Sequence, residues 1–172
     1  MIIDYPETRQ TFNYDCGANA LLSMLVYSGI EEREDRIASL AGTTKEGTEI
    51  NGVLRVLSYY GLPFQVYCPM TLARLRAALN TGYPVLMPIQ AYRESNEVYD
   101  DLWDDGHWVV AIGYENDRII FEDPSSFCRT WLAENELTHR WHDVNNGTRV
   151  SGWGCVLQIT GRYKSRQIRH MD

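Results

Sequence analysis

The chain has 172 residues and 19.8 kDa, which fits one domain at roughly 100–200 residues per domain; 44% of its residues are apolar, 12% aromatic and 23% charged. Such a composition buries a core and excludes a disordered chain. Sixteen Lys and Arg against 23 Asp and Glu give a net charge of −7 and a pI near 5.1, which excludes the basic footprint of a nucleic-acid or anionic-membrane binder. No apolar run reaches the ~20 residues of a membrane span. Asp4, Glu7 and Arg9 break any signal-peptide pattern at the start, so a soluble, cytoplasmic domain is expected.

Residues 1–14 read as extended. A helix follows from Cys16 to Ser28, with Ala18, Leu21, Leu22 and Leu25 as its apolar stripe and Gly29 as its stop. Acidic residues open a second helix near 31–41, as suits the positive end of a helix dipole. A third carries Ile50, Val53, Leu54 and Leu57 and ends at Gly61. After a strand over Pro63–Cys68, Thr71 can cap a fourth helix with Leu72, Leu75 and Leu79 inward and Gly82 just past its end. Strands then dominate: Pro84–Ile89, Trp108–Tyr114, Arg118–Glu122 and Trp153–Ile159, interrupted by a short amphipathic segment near 130–139. Helices mostly first and strands mostly second predict an α+β fold. A domain over residues 1–160 and a solvated basic tail over 161–172, with Arg162, Lys164, Arg166 and Arg169, are expected.

The four cysteines, at 16, 68, 128 and 155, show neither C-x-x-C nor zinc-ligand spacing, so no metal or other cofactor is expected. Cys68, Cys128 and Cys155 read as small core hydrophobes. Cys16 differs, because it opens the most apolar helix, where the dipole favours a thiolate. Gly17 beside it leaves room for a ligand backbone to approach.

His107 heads a strand that is apolar on both faces, a place for a buried base. The next strand ends at Glu122-Asp123-Pro124. A regular hairpin with a two-residue turn at Asn116-Asp117 would put Asp123 on the face opposite His107. A His107–Asp123 pair therefore demands a three-residue loop or one bulge. Gln10, six residues before the thiol, carries an amide that could donate to an oxyanion.

Together, Gln10-Thr-Phe-Asn-Tyr-Asp-Cys16-Gly17, His107-Trp-Val-Val and Asp123-Pro124 resemble the peptidase domain of bacteriocin-exporting ABC transporters. Those papain-like cysteine peptidases remove double-glycine leader peptides. The resemblance runs from about residue 8 to 160 and includes Gly47-Thr48, Leu57 to Gly61, Gly82-Tyr-Pro84-Val85 and Leu137 to Trp141. It implies a papain-like fold with Cys16 as nucleophile, His107 as base, Asp123 as its orienter and Gln10 as oxyanion donor. It also implies a peptide or protein substrate; with neither membrane spans nor a Walker A loop in this sequence, the chain reads either as a stand-alone peptidase with a separate exporter as partner or as a domain separated from a longer protein. The same nucleophile with an amine acceptor would make an acyltransferase or transglutaminase, and a groove without turnover would make a peptide-binding module. Residues 91–106 form a long polar insertion with six acids, expected to steer basic peptides or to act as a solvated loop.

Overall fold

The structure, a computed structural model, describes residues 1–94 and 96–163. Lys164, Arg166 and Arg169 of the expected tail lie outside the described residues. The elements in chain order are α1 (Cys16–Tyr27), α2 (Glu34–Ala41), α3 (Ile50–Tyr59), β1 (Phe64–Tyr67), α4 (Leu72–Asn80), β2 (Val85–Gln90), β3 (Gly106–Glu115), β4 (Arg118–Glu122), β5 (Thr130–Ala133), α5 (Glu134–Arg140), β6 (His142–Asn145), β7 (Thr148–Ser151) and β8 (Gly154–Leu157). Thr71 accepts from the Arg74 N–H at the start of α4, the cap its position predicts. Glu34 and Asp35 lie in the first turn of α2, where the dipole favours them.

Six strands form one antiparallel sheet in the order β1-β8-β2-β3-β4-β5. Alternation along each strand sends side chains to two cores. On one face Leu86, Val110, Ile112, Cys155 and Leu157 pack with Leu21, Met24 and Leu25 of α1, Ile37 of α2 and Val53, Val56 and Leu57 of α3. On the other, Val85, Met87, Val109, Ala111 and Phe121 pack with Leu75 and Leu79 of α4 and Leu137 of α5. Each such side chain contributes about 1.5–3 kcal/mol by leaving water, so the sheet is a slab fixed from both sides. The α+β architecture expected from the sequence is thus present, with α4 and α5 on the far face from α1–α3.

The β3–β4 hairpin carries the irregularity that the sequence demands. Its turn has two residues, since Glu115 pairs with Arg118, but the register shifts between Ala111 and Gly113, so Ile112 is an extra residue on β3. The N-terminal segment occupies this edge: the Ile3 N–H donates to Ile112 O at 2.8 Å, and Ile2 bridges Gly113. Gly113 permits that approach, because a Cβ there would stand 2.5 Å from Met1 O.

One sequence expectation changes here. The 142–151 hairpin of β6 and β7, read as neither strand, pairs over four positions. Short polar strands carry no apolar alternation, so nothing local announces them. At the start of the expected tail Gly161 and Arg162 are exposed, and the chain is held there: the Arg162 N–H donates to Tyr27 O, and Gly161 lies against the Tyr27 ring.

Candidate active site

Cys16 is the first residue of α1 and is 7% exposed. Asp15 precedes it, and the Asp15 carboxylate accepts from the Phe12 N–H at 3.0 and 3.1 Å, closing the turn that delivers the chain to the helix. No side chain caps α1, and the first intrahelical bond is from the Asn19 N–H to Asp15 O. The N–H groups of Cys16, Gly17 and Ala18 therefore have no partner from the helix. Gly17 has a different use from the one its sequence suggests. A Cβ there would lie 2.6 Å from Thr48 Cβ and 2.9 Å from Trp108 Cδ1, so the 43–49 turn and β3 fill the space rather than a ligand. Trp108 Nε1 donates to Thr48 O at 2.9 Å and locks that contact.

His107 sits at the mouth of β3, 6% exposed. The bulge at Ile112 puts Asp123 one residue beyond the Val110–Glu122 pair, on the face of Val109 and His107. His107 Nε2 lies 2.8 Å from Asp123 Oδ1, and the Cys16 side chain is among the groups that raise the imidazole's pKa. With Nε2 committed to Asp123, Nδ1 is the nitrogen left for the thiol. Burial works against a charged imidazole, but the hydrogen bond to Asp123 and the influence of the Cys16 side chain outweigh it and raise His107 to about 9. Burial would likewise raise Asp123, yet His107, the Tyr92 hydroxyl and the Ser125 N–H hold its carboxyl below the ordinary range. The two directions agree: at neutral pH this is an imidazolium–carboxylate pair.

Asp123 is saturated with donors. Oδ1 takes His107 Nε2 and the Ser125 N–H at 2.9 Å; Oδ2 takes Tyr92 O–H at 2.5 Å and Thr130 Oγ1 at 3.2 Å. Burial and the neighbouring Asp123 charge keep the Tyr92 hydroxyl protonated well above its usual range. Neither Tyr92 nor Thr130 carries a sequence signal, since each reaches Asp123 only through the fold.

Gln10 is brought beside the residues that follow Asp123. Its N–H donates to Pro124 O at 3.0 Å, its Oε1 accepts from Ser125 Oγ at 2.8 Å, and its Nε2 donates to Phe12 O at 2.7 Å. One N–H of the amide is thus engaged by Phe12, and one is left. Nearby, the fully buried Glu122 carboxylate is paired with Arg9 at 2.6 Å and with Arg129, and accepts from the Thr8 N–H. This pair of cations ties the segment before Gln10 to the segment after Asp123.

Cys16 opens onto a cleft of about 530 Å³ with Trp103 and Trp108 among its walls. Glu46, Glu49, Asp104 and Asp143 also line it. Asp143, supplied by the unforeseen β6–β7 hairpin, packs its carboxylate directly on Gly106, where a Cβ would stand 2.3 Å from Oδ1. Burial raises Asp143 to about 6, against the Val144 N–H and Gln90, which lower it. The acidic insertion is anchored, not loose: Leu102 is buried, its carbonyl meets His142 Nε2 at 2.7 Å, and Trp103 lies 4.4 Å from the His142 ring. All four cysteines are free, and of the three read as core only Cys155 is buried, whereas Cys68 and Cys128 are exposed. Among the described residues, no group of three or more His, Cys, Asp and Glu is placed to hold a metal ion, and no helix is long and apolar enough to cross a membrane.

The sequence is 27% identical over 139 residues to the lactococcin-A transport/processing ATP-binding protein of Lactococcus lactis, covering 80% of this chain and 18% of that one. It is 25% identical over 117 residues to an uncharacterized protein of Methanothermobacter marburgensis, covering 68% and 70% respectively. The chain thus spans less than a fifth of the first relative and 70% of the second. Its fold is similar to the peptidase domain of Streptococcus ComA, a bifunctional ABC transporter, with a TM-score of 0.65 at 18% identity over 87% of this chain and 96% of that one. It is similar also to a double-glycine-motif protease from an AMS/PCAT transporter, solved with its leader peptide, with a TM-score of 0.62 at 16% identity over 90% and 91%. Residues 4–145 match the Peptidase C39 family. The chain belongs to that family and has the fold of its peptidase domains.

Proposed function

We propose that this chain is a cysteine peptidase domain, over residues 1–160, that hydrolyses a peptide bond through the Cys16 thiolate. The observation that carries the reading is a buried imidazole held by a carboxylate: His107 meets Asp123 at 2.8 Å, and Cys16, at the start of α1, is among the groups that raise the imidazole's pKa. The thiolate attacks the scissile carbonyl, and the oxyanion is held by the Cys16 N–H and the second N–H of the Gln10 amide. Imidazolium His107 gives its proton to the leaving amine. Water then attacks the thioester with His107 as base, releasing the acid and restoring the thiol. Asp123 orients the ring and stabilises its charge.

The substrate reading follows the transporter peptidases that this chain is similar to. It is a peptide with a Gly-Gly type leader, cut after the small residues, with further binding from a helical segment of the leader. A separate exporter would receive the product, and the reaction would run in the cytoplasm. The test incubates the protein with a synthetic precursor carrying a Gly-Gly leader and maps products by mass spectrometry. Cleavage after Gly-Gly, abolished by Cys16→Ala, is expected. A large aromatic residue accepted equally well before the cut overturns the specificity. An amide formed with added amine, in place of the acid, overturns the hydrolase reading.

A further inference from the structure

The acidic insertion reaches Asp123 as well as the cleft. The Ala91 N–H donates to Asp105 O and the Asp105 N–H to Gln90 Oε1, both at 3.0 Å, which closes the neck of the insertion at the end of β2. Tyr92 stands just past this neck with a φ of 56°, a left-handed backbone that a bulky residue seldom takes. Such a conformation persists only where its surroundings hold it, and these gather at active sites. The Tyr92 residue is 57% exposed, yet its hydroxyl turns onto an acid that is 3% exposed.

Of the donors to Asp123, Ser125 and Thr130 lie two and seven residues after it. Tyr92 comes from 31 residues before it, and its bond of 2.5 Å is shorter than those from His107, Ser125 and Thr130. An O–H on a carboxylate at that length is charge-assisted, about twice as strong as a neutral bond. The same ring lies 5.5 Å from the His107 ring, with the planes 74° apart, so Tyr92 packs on both members of the pair. Cys16 of α1 and Asp143 of β6 also face His107, and Arg140 of α5 and Tyr99 of the insertion face Tyr92. Tyr92 lines a different cavity from the one at Cys16. We propose that Tyr92 is a positioning residue of the peptidase reaction: its hydroxyl takes up part of the Asp123 charge and so sets how readily the His107 imidazolium releases its proton. A carboxylate relieved of charge by a donor holds an imidazolium less tightly. The proposal deepens the peptidase reading and rests on it.

The test is an NMR titration of the imidazole signals in the full chain and in Tyr92→Phe, with His107 assigned as the signal that His107→Gln removes. The titration needs no substrate, so its result is independent of the one that tests cleavage. Tyr92→Phe keeps the exposed ring and removes only the hydroxyl, and circular dichroism and Tm confirm its fold. The His107 pKa should rise by roughly half a unit or more, opposite in direction to Asp123→Asn. Thr130→Val, which removes the longer bond to Oδ2, should raise it less. With a cleaved precursor, Tyr92→Phe should lower kcat about threefold or more and leave KM unchanged. A His107 pKa unmoved or lowered in Tyr92→Phe overturns the proposal, since a residue that merely props the acid weakens the pair when lost. So does a shift in Thr130→Val as large as that in Tyr92→Phe, or a loss confined to KM.

Discussion

His107 and Asp123 lie 2.8 Å apart because β3 carries one residue more than β4 can pair. Without Ile112 as that extra residue, the two-residue turn at Asn116-Asp117 would leave them on opposite faces of the sheet. The bulge sits where the N-terminal segment takes the backbone of Ile112 and Tyr114, so the first three residues contribute to the alignment of a pair far along the chain.

In the proposed reaction the ion pair sets the pH dependence of activity. His107 is raised to about 9, so the charged imidazole that protonates the leaving amine is lost as pH rises through about 9. Turnover should fall along that alkaline limb, and Asp123→Asn should move the limb to lower pH and lower kcat, read from pH–rate profiles. A limb unmoved by Asp123→Asn would show that Asp123 does not hold the imidazolium.

The same pair contributes to stability, with opposite signs at the two ends. His107 is raised above 6.5, so its contribution is full below about 6.5 and is lost as pH rises through about 9. Asp123 is lowered below 3.8, so its contribution is present above that value and is lost as pH falls below it. The Tm difference between the protein and His107→Gln should be level near pH 5–6 and shrink between about pH 7 and 9. A difference that grows over that interval contradicts the pairing.

Thiol labelling should separate the four cysteines. Cys155 is fully buried and its thiol is pushed up to about 12, so iodoacetamide should reach it last. Cys16 should react before the exposed Cys68 and Cys128, because it stands at the start of α1 beside the His107 imidazolium. Mass spectrometry of labelled peptides reads the order. His107→Ala should remove the preference, and labelling led by Cys68 or Cys128 would reassign the nucleophile.

Four carboxylates line the cleft at Cys16, and one of them, Asp104, belongs to the acidic insertion. Peptides with Lys or Arg near the scissile bond should therefore be turned over at lower KM than their Gln counterparts. Added salt should narrow the gap, since exposed charges are screened within about 8–10 Å. The combined Glu46→Gln, Glu49→Gln and Asp104→Asn variant should lose most of the preference in KM. An equal loss in kcat would place these acids in the catalytic assembly instead.

Glu122 is an anchor of the fold. Replacing it with Ala strands Arg9 and Arg129 around a buried position, a change that costs roughly 3 kcal/mol when one partner of a buried pair is removed. Urea unfolding should show the loss. A variant as stable as the parent would mean that the two arginines find water.

Much of the molecule is legible in its sequence because the signals are local. Apolar spacing marks α1, α3 and α4, turn residues bound the main strands, and Cys16 stands at the start of a helix by pattern alone. The period of two in a strand also determines that His107 and Asp123 need a bulge or an odd loop, although not which. Only the tertiary structure decided that, by pairing Ile3 with Ile112. It likewise brought Tyr92 to Asp123, set Ser125 against the Gln10 amide, and laid the β6–β7 hairpin with Asp143 over Gly106. The physical reason is common to all of these. Each is a contact between segments distant in sequence, formed by polar groups whose partners are chosen when the two cores close, and polar groups leave no periodic trace in the chain.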